Sequence, residues 1–221
     1  MTQRRIRALS VDVHGTLLLP RASIGELYAE GCRRHGIMAE AATLEAAFFA
    51  AFKKLRQQWP VPYGRDEADA RAFWFRLIAE TVGPACHDAL CDDLFTTFAA
   101  GSTWHRLPQA AEAIALGRDR GLPVIGCSNF DSRVRGLLRH HDLHLDDLVI
   151  SAEIGKAKPD PAPLHAVAER AGCAIEAVLH IGDNEGDDGG AARAAGCAWL
   201  PVDRGAGIDL DALRQLLDQP S

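Results

Sequence analysis

The feature that most constrains the fold is a short apolar run near the N-terminus that ends at an aspartate. Apolar residues dominate positions 6–13, and Gly15 follows with a turn, a pattern that predicts a central strand buried on both faces. Burying an ionised carboxylate without a partner is costly, so Asp12 must meet a cation, several N–H donors or a cleft open to ligand. Capping the following turn is the simpler alternative. Because ligands bind at the carboxyl ends of strands in open α/β sheets, we expect a cleft.

The size and charge of the chain limit the classes of function. Its 221 residues suffice for one domain with a large core, or for a core with an inserted module. A net charge of −6 without a basic stripe predicts no nucleic-acid partner and leaves a small anionic substrate open. Arg7 and Asp12 break the N-terminal apolar run, which is too short for a signal peptide or a membrane span. Six scattered cysteines without a Cys-x-x-Cys pair predict a reduced, cytoplasmic protein, either a monomer or a homodimer.

Two patterns of apolar residues divide the chain. Between residue 22 and about residue 101, apolar side chains recur at helical spacing, as Leu44, Phe48 and Leu55 do. After Pro108, short apolar runs alternate with helical patterns, which is typical of a parallel sheet. We predict strands at 122–127, 148–151, 178–181 and 198–202, joined in one sheet with the strand at Asp12. The expected fold is therefore α/β, with a helical insertion between the first strand and the others.

Polar residues follow the predicted strands. Ser128 and Asn129 offer a hydroxyl and backbone N–H groups to an anion, or else cap the next helix. Lys158 stands directly before a proline that stiffens its backbone, although lysine is most often a surface residue. Four carboxylates lie within residues 183–188, where crowding is unfavourable unless a cation relieves it. A Mg²⁺ site accounts for this loop, and a solvated acidic loop is the alternative.

Taken together, four motifs resemble the haloacid dehalogenase-like hydrolase superfamily. They are Asp-x-x-Gly-Thr at 12–16, Ser-Asn at 128–129, Lys-Pro-Asp at 158–160 and Gly-Asp-x-x-x-Asp at 182–187. The match covers nearly the whole chain. It implies a Rossmann-like parallel sheet core of residues 1–20 and 102–221. Residues 21–101 would form an inserted helical cap of the C1 type, with a short flap at 15–21 beneath it.

The resemblance also implies roles for individual residues. Asp12 would be the nucleophile, and Ser128 and Lys158 would hold the oxygens of the transferring group. Asp183 would bind Mg²⁺ with Asp12 and the backbone carbonyl of His14. The remaining metal position would be served by Asp187 through water, with Asp188 as the alternative. The candidate substrate-binding residues are Thr16, Asn129, and, in the proline-bounded loop 59–65, Tyr63 and Arg65.

His14 departs from the family pattern, because phosphatases of the superfamily usually carry a second aspartate there as the acid and base. General acid–base catalysis is typically worth 10²- to 10⁴-fold, and imidazole is chemically suited to it. Three hypotheses follow. The chain hydrolyses a phosphate monoester with His14 as the acid and base. It acts on another substrate, such as a carbon–halogen, acyl or phosphonate group. Or it is a binding protein that keeps the site but turns over poorly.

Overall fold

The computed structural model describes residues 5–59, 61 and 63–218. Pro60 and Pro62, which were expected to bound the loop at 59–65, lie outside the described residues, as do residues 1–4 and 219–221. The strands and helices are, in chain order, β1 (Ala8–Val11), β2 (Leu18–Pro20), α1 (Ile24–Arg34), α2 (Ala41–Gln58), α3 (Glu67–Val82), α4 (Asp88–Ala99), β3 (Trp104–Arg106), α5 (Ala110–Asp119), β4 (Val124–Ser128), α6 (Arg133–His140), β5 (Asp147–Ile150), α7 (Ser151–Ile154), α8 (Ala162–Arg170), β6 (Val178–Gly182), α9 (Gly190–Ala195), β7 (Ala198–Pro201) and α10 (Leu210–Leu217).

Five of the strands form one parallel sheet in the order β5-β4-β1-β6-β7. Its central strand, β1, pairs with β4 on one side, where Leu9 faces Val124, and with β6 on the other, where Leu9 faces Leu179. The sheet separates two hydrophobic clusters, one containing Leu9 and Val11 and the other containing Ala8. All four residues of β1 are buried. This burial on both faces confirms the expected central strand and the α/β fold class.

The four helices α1–α4, here called the cap helices, pack around a hydrophobic cluster of their own. Tyr28 of α1, Phe48 of α2, Phe73 of α3 and Leu94 of α4 are among its buried members. A separate core is what an inserted folding unit requires, because one amphipathic helix must bury its apolar stripe against another. The predicted boundaries of the cap, at residues 21 and 101, stay a prediction.

The insertion leaves and rejoins the sheet through a small antiparallel ribbon. In this ribbon β2 pairs with β3, with Leu19 opposite His105. The sequence did not predict this pair, because each strand has only three residues. The four later strands of the sheet lie within two residues of the expected ranges. None of the helices among the described residues is long and apolar enough to cross a membrane.

Candidate active site

The polar residues that follow β1, β4 and β6 meet at the carboxyl edge of the sheet. Asp12 directly follows β1, Ser128 ends β4, and Asp183 directly follows β6. These three strands are neighbours in the sheet, so residues far apart in sequence converge at one edge. One carboxylate oxygen from each of Asp12, Asp183 and Asp188 lies within 4.8 Å of the others.

Lys158 lies beneath this carboxylate cluster. Its ammonium donates to Asp12 Oδ1 at 2.8 Å, to Asp188 Oδ1 at 2.5 Å and to the carbonyl of Cys127 at 2.8 Å. The side chain is 2% exposed, so it is not a surface lysine. Burial would lower the pKa of Lys158, but the two carboxylates raise it well above its ordinary value. Lys158 therefore stays charged and holds two acidic groups in place.

Asp12 shares that lysine with a second carboxylate. Burial raises the pKa of Asp12 first, and the nearby carboxylates of Asp188 and Asp183 raise it further, against the opposing charge of Lys158. One ammonium thus does not offset the charge of the whole cluster. An additional positive charge at this place would favour the ionised, nucleophilic form of Asp12.

His180 fixes the other side of Asp188. Its Nε2 lies 3.0 Å from Asp188 Oδ1 and its Nδ1 lies 2.9 Å from Ser10 Oγ. An ionised carboxylate only accepts, so Nε2 carries the proton and Nδ1 accepts from the Ser10 hydroxyl. Burial would raise the pKa of Asp188, but Lys158 and the hydrogen bond from His180 hold it well below its ordinary value. Asp188 is therefore a rigidly held anion.

Asp183 accepts hydrogen bonds from two side chains, those of Arg204 and Thr16. Arg204, in the loop after β7, donates through Nε to Asp183 Oδ2 at 2.6 Å. The hydroxyl of Thr16, a candidate substrate-binding residue, donates to Asp183 Oδ1 at 3.4 Å. Gly15 has a φ of +92°, and a Cβ there would lie 2.5 Å from that carboxylate. The glycine of the first motif thus allows the loop after β1 to approach Asp183.

Asp187 does not join the carboxylate cluster. Its two oxygens accept from Arg56 of α2 at 2.7 and 3.0 Å, in a bidentate ion pair between the cap helices and the acidic loop. The loop forms a π-helical turn over Glu185–Gly189, which points adjacent carboxylates in different directions. The geometry favours Asp188, the alternative raised from the sequence, as the third acidic group of a metal site.

Ser128 and Asn129 differ in their hydrogen bonds. The cap of α6 is Ser132, so the alternative in which Ser128 or Asn129 caps this helix is wrong. Asn129 donates through Nδ2 to the carbonyl of Lys158 at 2.9 Å and accepts from its N–H at 2.8 Å, which positions the lysine segment. Ser128 Oγ is buried and makes no hydrogen bond with the described residues. A buried hydroxyl without a partner is costly, so its place favours contact with a ligand.

His14 lies beside the cluster with its ring against the edge of Trp104, at a centroid distance of 5.6 Å. The ring is accessible from the cavity above it. Desolvation by the surrounding walls, followed by the charge of Arg204, nevertheless lowers the pKa of His14 to about 4. Without a bound metal or substrate, the imidazole is neutral at pH 7 and is suited to accept a proton.

A cavity of about 620 Å³ lies between the carboxylate cluster and the cap helices. Asp12, His14, Ser128 and Lys158 line its lower end. Of the two loop residues expected to reach substrate, Tyr63 is buried and lines the cavity. Arg65 lies elsewhere, because its side chain is largely exposed and binds Asp69. Of the predicted site residues, only Arg65 and Thr16 are missing from the cavity lining, and Thr16 contacts the site through Asp183. Asp187 lines the cavity but is paired with Arg56.

The residues around the cluster fit a divalent cation. Three carboxylates within reach of one another supply hard oxygen ligands, the kind that Mg²⁺ prefers. In the structure the ammonium of Lys158 and the guanidinium of Arg204 partly offset the charge of these groups. Two positively charged side chains thus contact the carboxylate cluster, as expected for a group of acidic residues that stabilises positive charge.

Sequence reasoning missed three charged or polar residues at the site. Arg204 follows a strand of the sheet, so the rule that found Asp183 could have found it. Arg56 lies one helical turn after Phe52 on the inward face of α2, where an arginine among apolar residues is a signal. Ser10 is buried inside β1, and nothing in the sequence marks it as the partner of His180.

Comparisons with known proteins show what this chain is similar to. A family model described as haloacid dehalogenase-like hydrolase matches residues 6–196. The curated relative "Haloacid dehalogenase-like hydrolase domain-containing protein 3" of Bos taurus is 35% identical over 202 residues, covering 87% of this chain and 80% of the relative. The protein of the same name in Danio rerio is 33% identical over 188 residues, covering 81% and 77%.

Solved structures show the same fold at lower identity. A defluorinating L-2-haloacid dehalogenase superposes with a TM-score of 0.74 at 20% identity, covering 91% of this chain and 82% of that chain. A putative HAD-hydrolase from Bacillus subtilis, described as bound to magnesium, superposes with a TM-score of 0.74 at 18% identity, covering 98% and 100%. At these identities the likeness concerns the fold alone.

Proposed function

The chain belongs to the haloacid dehalogenase-like hydrolase family, and we propose that it hydrolyses a small-molecule phosphate monoester through an aspartyl-phosphate intermediate on Asp12. The observation that carries this proposal is the convergence of Asp12, Asp183 and Asp188 within 4.8 Å at the foot of a cavity. Buried Lys158 and the unpartnered Ser128 hydroxyl lie beside it. An acidic cluster with a neighbouring lysine and a free hydroxyl suits the binding of a cation and an anion together.

In the proposed reaction, an Asp12 carboxylate oxygen forms a bond to phosphorus, and the bond from phosphorus to the ester oxygen breaks. The electron pair leaves with that oxygen, which takes up a proton from solvent water to become the alcohol. Water then attacks phosphorus and releases inorganic phosphate and the Asp12 carboxylate. Splitting one displacement into two is the advantage of covalent catalysis.

The residues around Asp12 have distinct parts in this proposal. Lys158 holds Asp12 in place and, with Ser128, would bind the oxygens of the phosphoryl group, which reduces repulsion between two anions. Asp12, Asp183, Asp188 and the backbone carbonyl of His14 would hold Mg²⁺. When bound, the ion supplies positive charge where negative charge accumulates. Asn129 acts by positioning the Lys158 backbone.

His14 stands where the acid and base of this family's phosphatases usually stands. Its ring lines the cavity beside Asp12, within the region where an ester oxygen would lie. In the proposal the imidazole takes the proton of the attacking water in the second step. Chemistry of this kind contributes typically 10²- to 10⁴-fold to a rate.

Phosphate release from p-nitrophenyl phosphate and a panel of metabolite phosphates tests the proposal. We expect turnover that requires Mg²⁺, that is abolished in Asp12→Asn and that is unchanged in Asp211→Asn, a matched variant at an exposed position. His14→Ala should slow turnover by at least about 100-fold, whereas His14→Asp should keep it measurable.

Three results would overturn the proposal. Turnover that persists in Asp12→Asn would exclude the nucleophile. Metal-independent release of halide from 2-haloacids, with no phosphate release, would favour the dehalogenase hypothesis. Turnover that arises only in His14→Asp would indicate that the natural protein keeps the site for binding rather than catalysis.

A further inference from the structure

The cap side of the cavity is walled by aromatic rings. Helices α2, α3 and α4 contribute Phe48, Phe49, Phe52, Trp74, Phe95 and Phe98. Phe48 and Phe52 are stacked, with planes 10° apart and centroids 5.7 Å apart, and Phe52 stacks on Trp74 with planes 19° apart. The wall therefore offers broad aromatic faces and edges to whatever occupies the space above Asp12.

Among the described residues, the charged side chains beside the aromatic wall already contact protein groups. Glu45 accepts from the backbone N–H of Gly25, and Arg56 pairs with Asp187. Arg133 pairs with Asp131 at 2.7 Å, and its guanidinium lies 3.6 Å from the centroid of the Phe95 ring. A ligand rich in hydroxyl groups would have to break these contacts to gain charged partners here.

Phe49 gives independent support. Its side chain is 55% exposed, yet it lines the cavity and its ring lies edge-on to Phe48 at 5.4 Å. It does not belong to the buried cluster that holds the cap helices together. Exposure of a large apolar side chain to water is unfavourable, and a ligand that covers it gains that free energy.

The volume of the cavity also exceeds the need of a phosphoryl group. About 620 Å³ lies within the roughly 300–1,000 Å³ typical of sites for drug-sized ligands. The carboxylate cluster and Lys158 occupy the end formed by the sheet. Aromatic rings form most of the end made by the cap helices, where the charged Glu45 and Arg56 are engaged with protein groups. Such a division suits an amphipathic molecule with an anionic head and an apolar body.

We propose that the substrate is a phosphate monoester of an alcohol with an aromatic or extended apolar body, bound with that body against the Phe49–Phe52–Trp74 wall. This inference rests on the proposed phosphatase function. The cap wall then selects substrates by the apolar surface that they bury, while Asp12 and Lys158 act on a phosphoryl group common to all of them.

A series of primary alkyl phosphates tests the inference, because these esters have leaving groups of similar basicity. We expect kcat/KM with Mg²⁺ to rise at least about 100-fold from ethyl phosphate to 2-(1-naphthyl)ethyl phosphate, as burial of an additional aromatic ring system implies. Glycerol 3-phosphate and glucose 6-phosphate should not exceed ethyl phosphate. Equal values across the series, or a preference for the sugar phosphate, would overturn the inference.

Two variants separate the wall from the remainder of the cap. Phe49→Ala should lower the ratio of the naphthyl to the ethyl ester several-fold, mainly through KM. Met38→Ala is the matched control, because Met38 is an 85% exposed apolar side chain outside the cavity lining, and it should leave both values unchanged. An unchanged ratio in Phe49→Ala would remove this side chain from the substrate site.

Binding distinguishes failure of the inference from failure of the proposed function. If no ester is hydrolysed, the proposed function fails, and calorimetry with Asp12→Asn and Mg²⁺ decides the inference. Naphthylethyl phosphate bound at least about 100-fold tighter than ethyl phosphate would support the aromatic site. Equal affinities would overturn it. If the ethyl and sugar esters are hydrolysed with the same kcat/KM as the naphthyl ester, the proposed function stands and the inference fails.

Discussion

Replacing Lys158 with methionine removes the single ammonium that two buried carboxylates share. Nζ lies 2.8 Å from Asp12 and 2.5 Å from Asp188, and all three side chains are at most 8% exposed. Removing one partner of a buried ion pair costs about 3–5 kcal/mol, because the other charge is left without compensation. We expect Lys158→Met to lose that amount of unfolding free energy at pH 7, a large share of the roughly 5–15 kcal/mol of a typical domain.

The loss should depend on pH in a defined direction. In the natural protein the pKa of Asp188 lies well below its ordinary value, so its stabilisation is present at neutral pH and is lost as pH falls through that low value. In Lys158→Met burial instead raises the pKa of this carboxyl, so the folded state is penalised above the unfolded pKa of about 3.9. The difference between the two proteins should be largest at pH 7, shrink toward about pH 4 as the penalty in Lys158→Met disappears, and shrink further as pH falls through the low pKa of Asp188 in the natural protein.

Urea unfolding followed by tryptophan fluorescence, in the presence of a metal chelator, measures this difference. Lys156→Met is a matched control, because Lys156 is 59% exposed and lies 3.5 Å from Asp160; we expect a change within about 0.5 kcal/mol. Adding Asp188→Asn to Lys158→Met should recover part of the loss, since it removes one stranded charge. A loss below about 1 kcal/mol, or one that is the same at every pH, would refute this account of the buried network.

Three further predictions follow from the contacts around the site. Arg56→Gln breaks the bidentate pair with Asp187 and should speed hydrogen exchange in α2 but not in β1. The same exchange rate of α2 in the variant and the natural protein would show that the pair does not hold the cap. Arg204→Ala frees the carboxylate of Asp183, a proposed Mg²⁺ ligand, so thermal shifts should show half-maximal stabilisation at a several-fold lower Mg²⁺ concentration, and an unchanged midpoint would contradict this. The guanidinium of Arg34 holds the pKa of Asp93 below its usual range, so Asp93→Asn should cost up to about 1 kcal/mol at pH 7 and nothing below that low pKa, as unfolding at two pH values would measure.

The sequence predicted those parts of the molecule whose structure follows from a general physical rule. Strand β1 was identifiable because burial on both faces demands a continuous apolar run, and the acidic loop after β6 because like charges need a cation. The same rule of polar residues at strand ends brought Ser128 and Lys158 to attention. These expectations depend on short stretches of chain, where spacing and composition suffice.

The remainder depended on directions that only the folded backbone sets. Asp187 and Asp188 are adjacent, and the π-helical turn alone sends one to Arg56 and the other to Lys158. Arg65 was expected near substrate because its loop carries aromatics, but its side chain turns to Asp69. The ribbon of β2 and β3 escaped notice because three-residue strands have almost no periodicity.

The central claim is that Asp12 accepts a phosphoryl group. The most direct measurement is the intact mass of the protein after rapid acid quench during turnover of p-nitrophenyl phosphate with Mg²⁺, followed by peptide mapping. We predict a fraction of the chain heavier by one phosphoryl group, located on the peptide that contains Asp12 and missing in Asp12→Asn. Turnover without that adduct at any quench time, or an adduct mapped to another residue, would contradict the account.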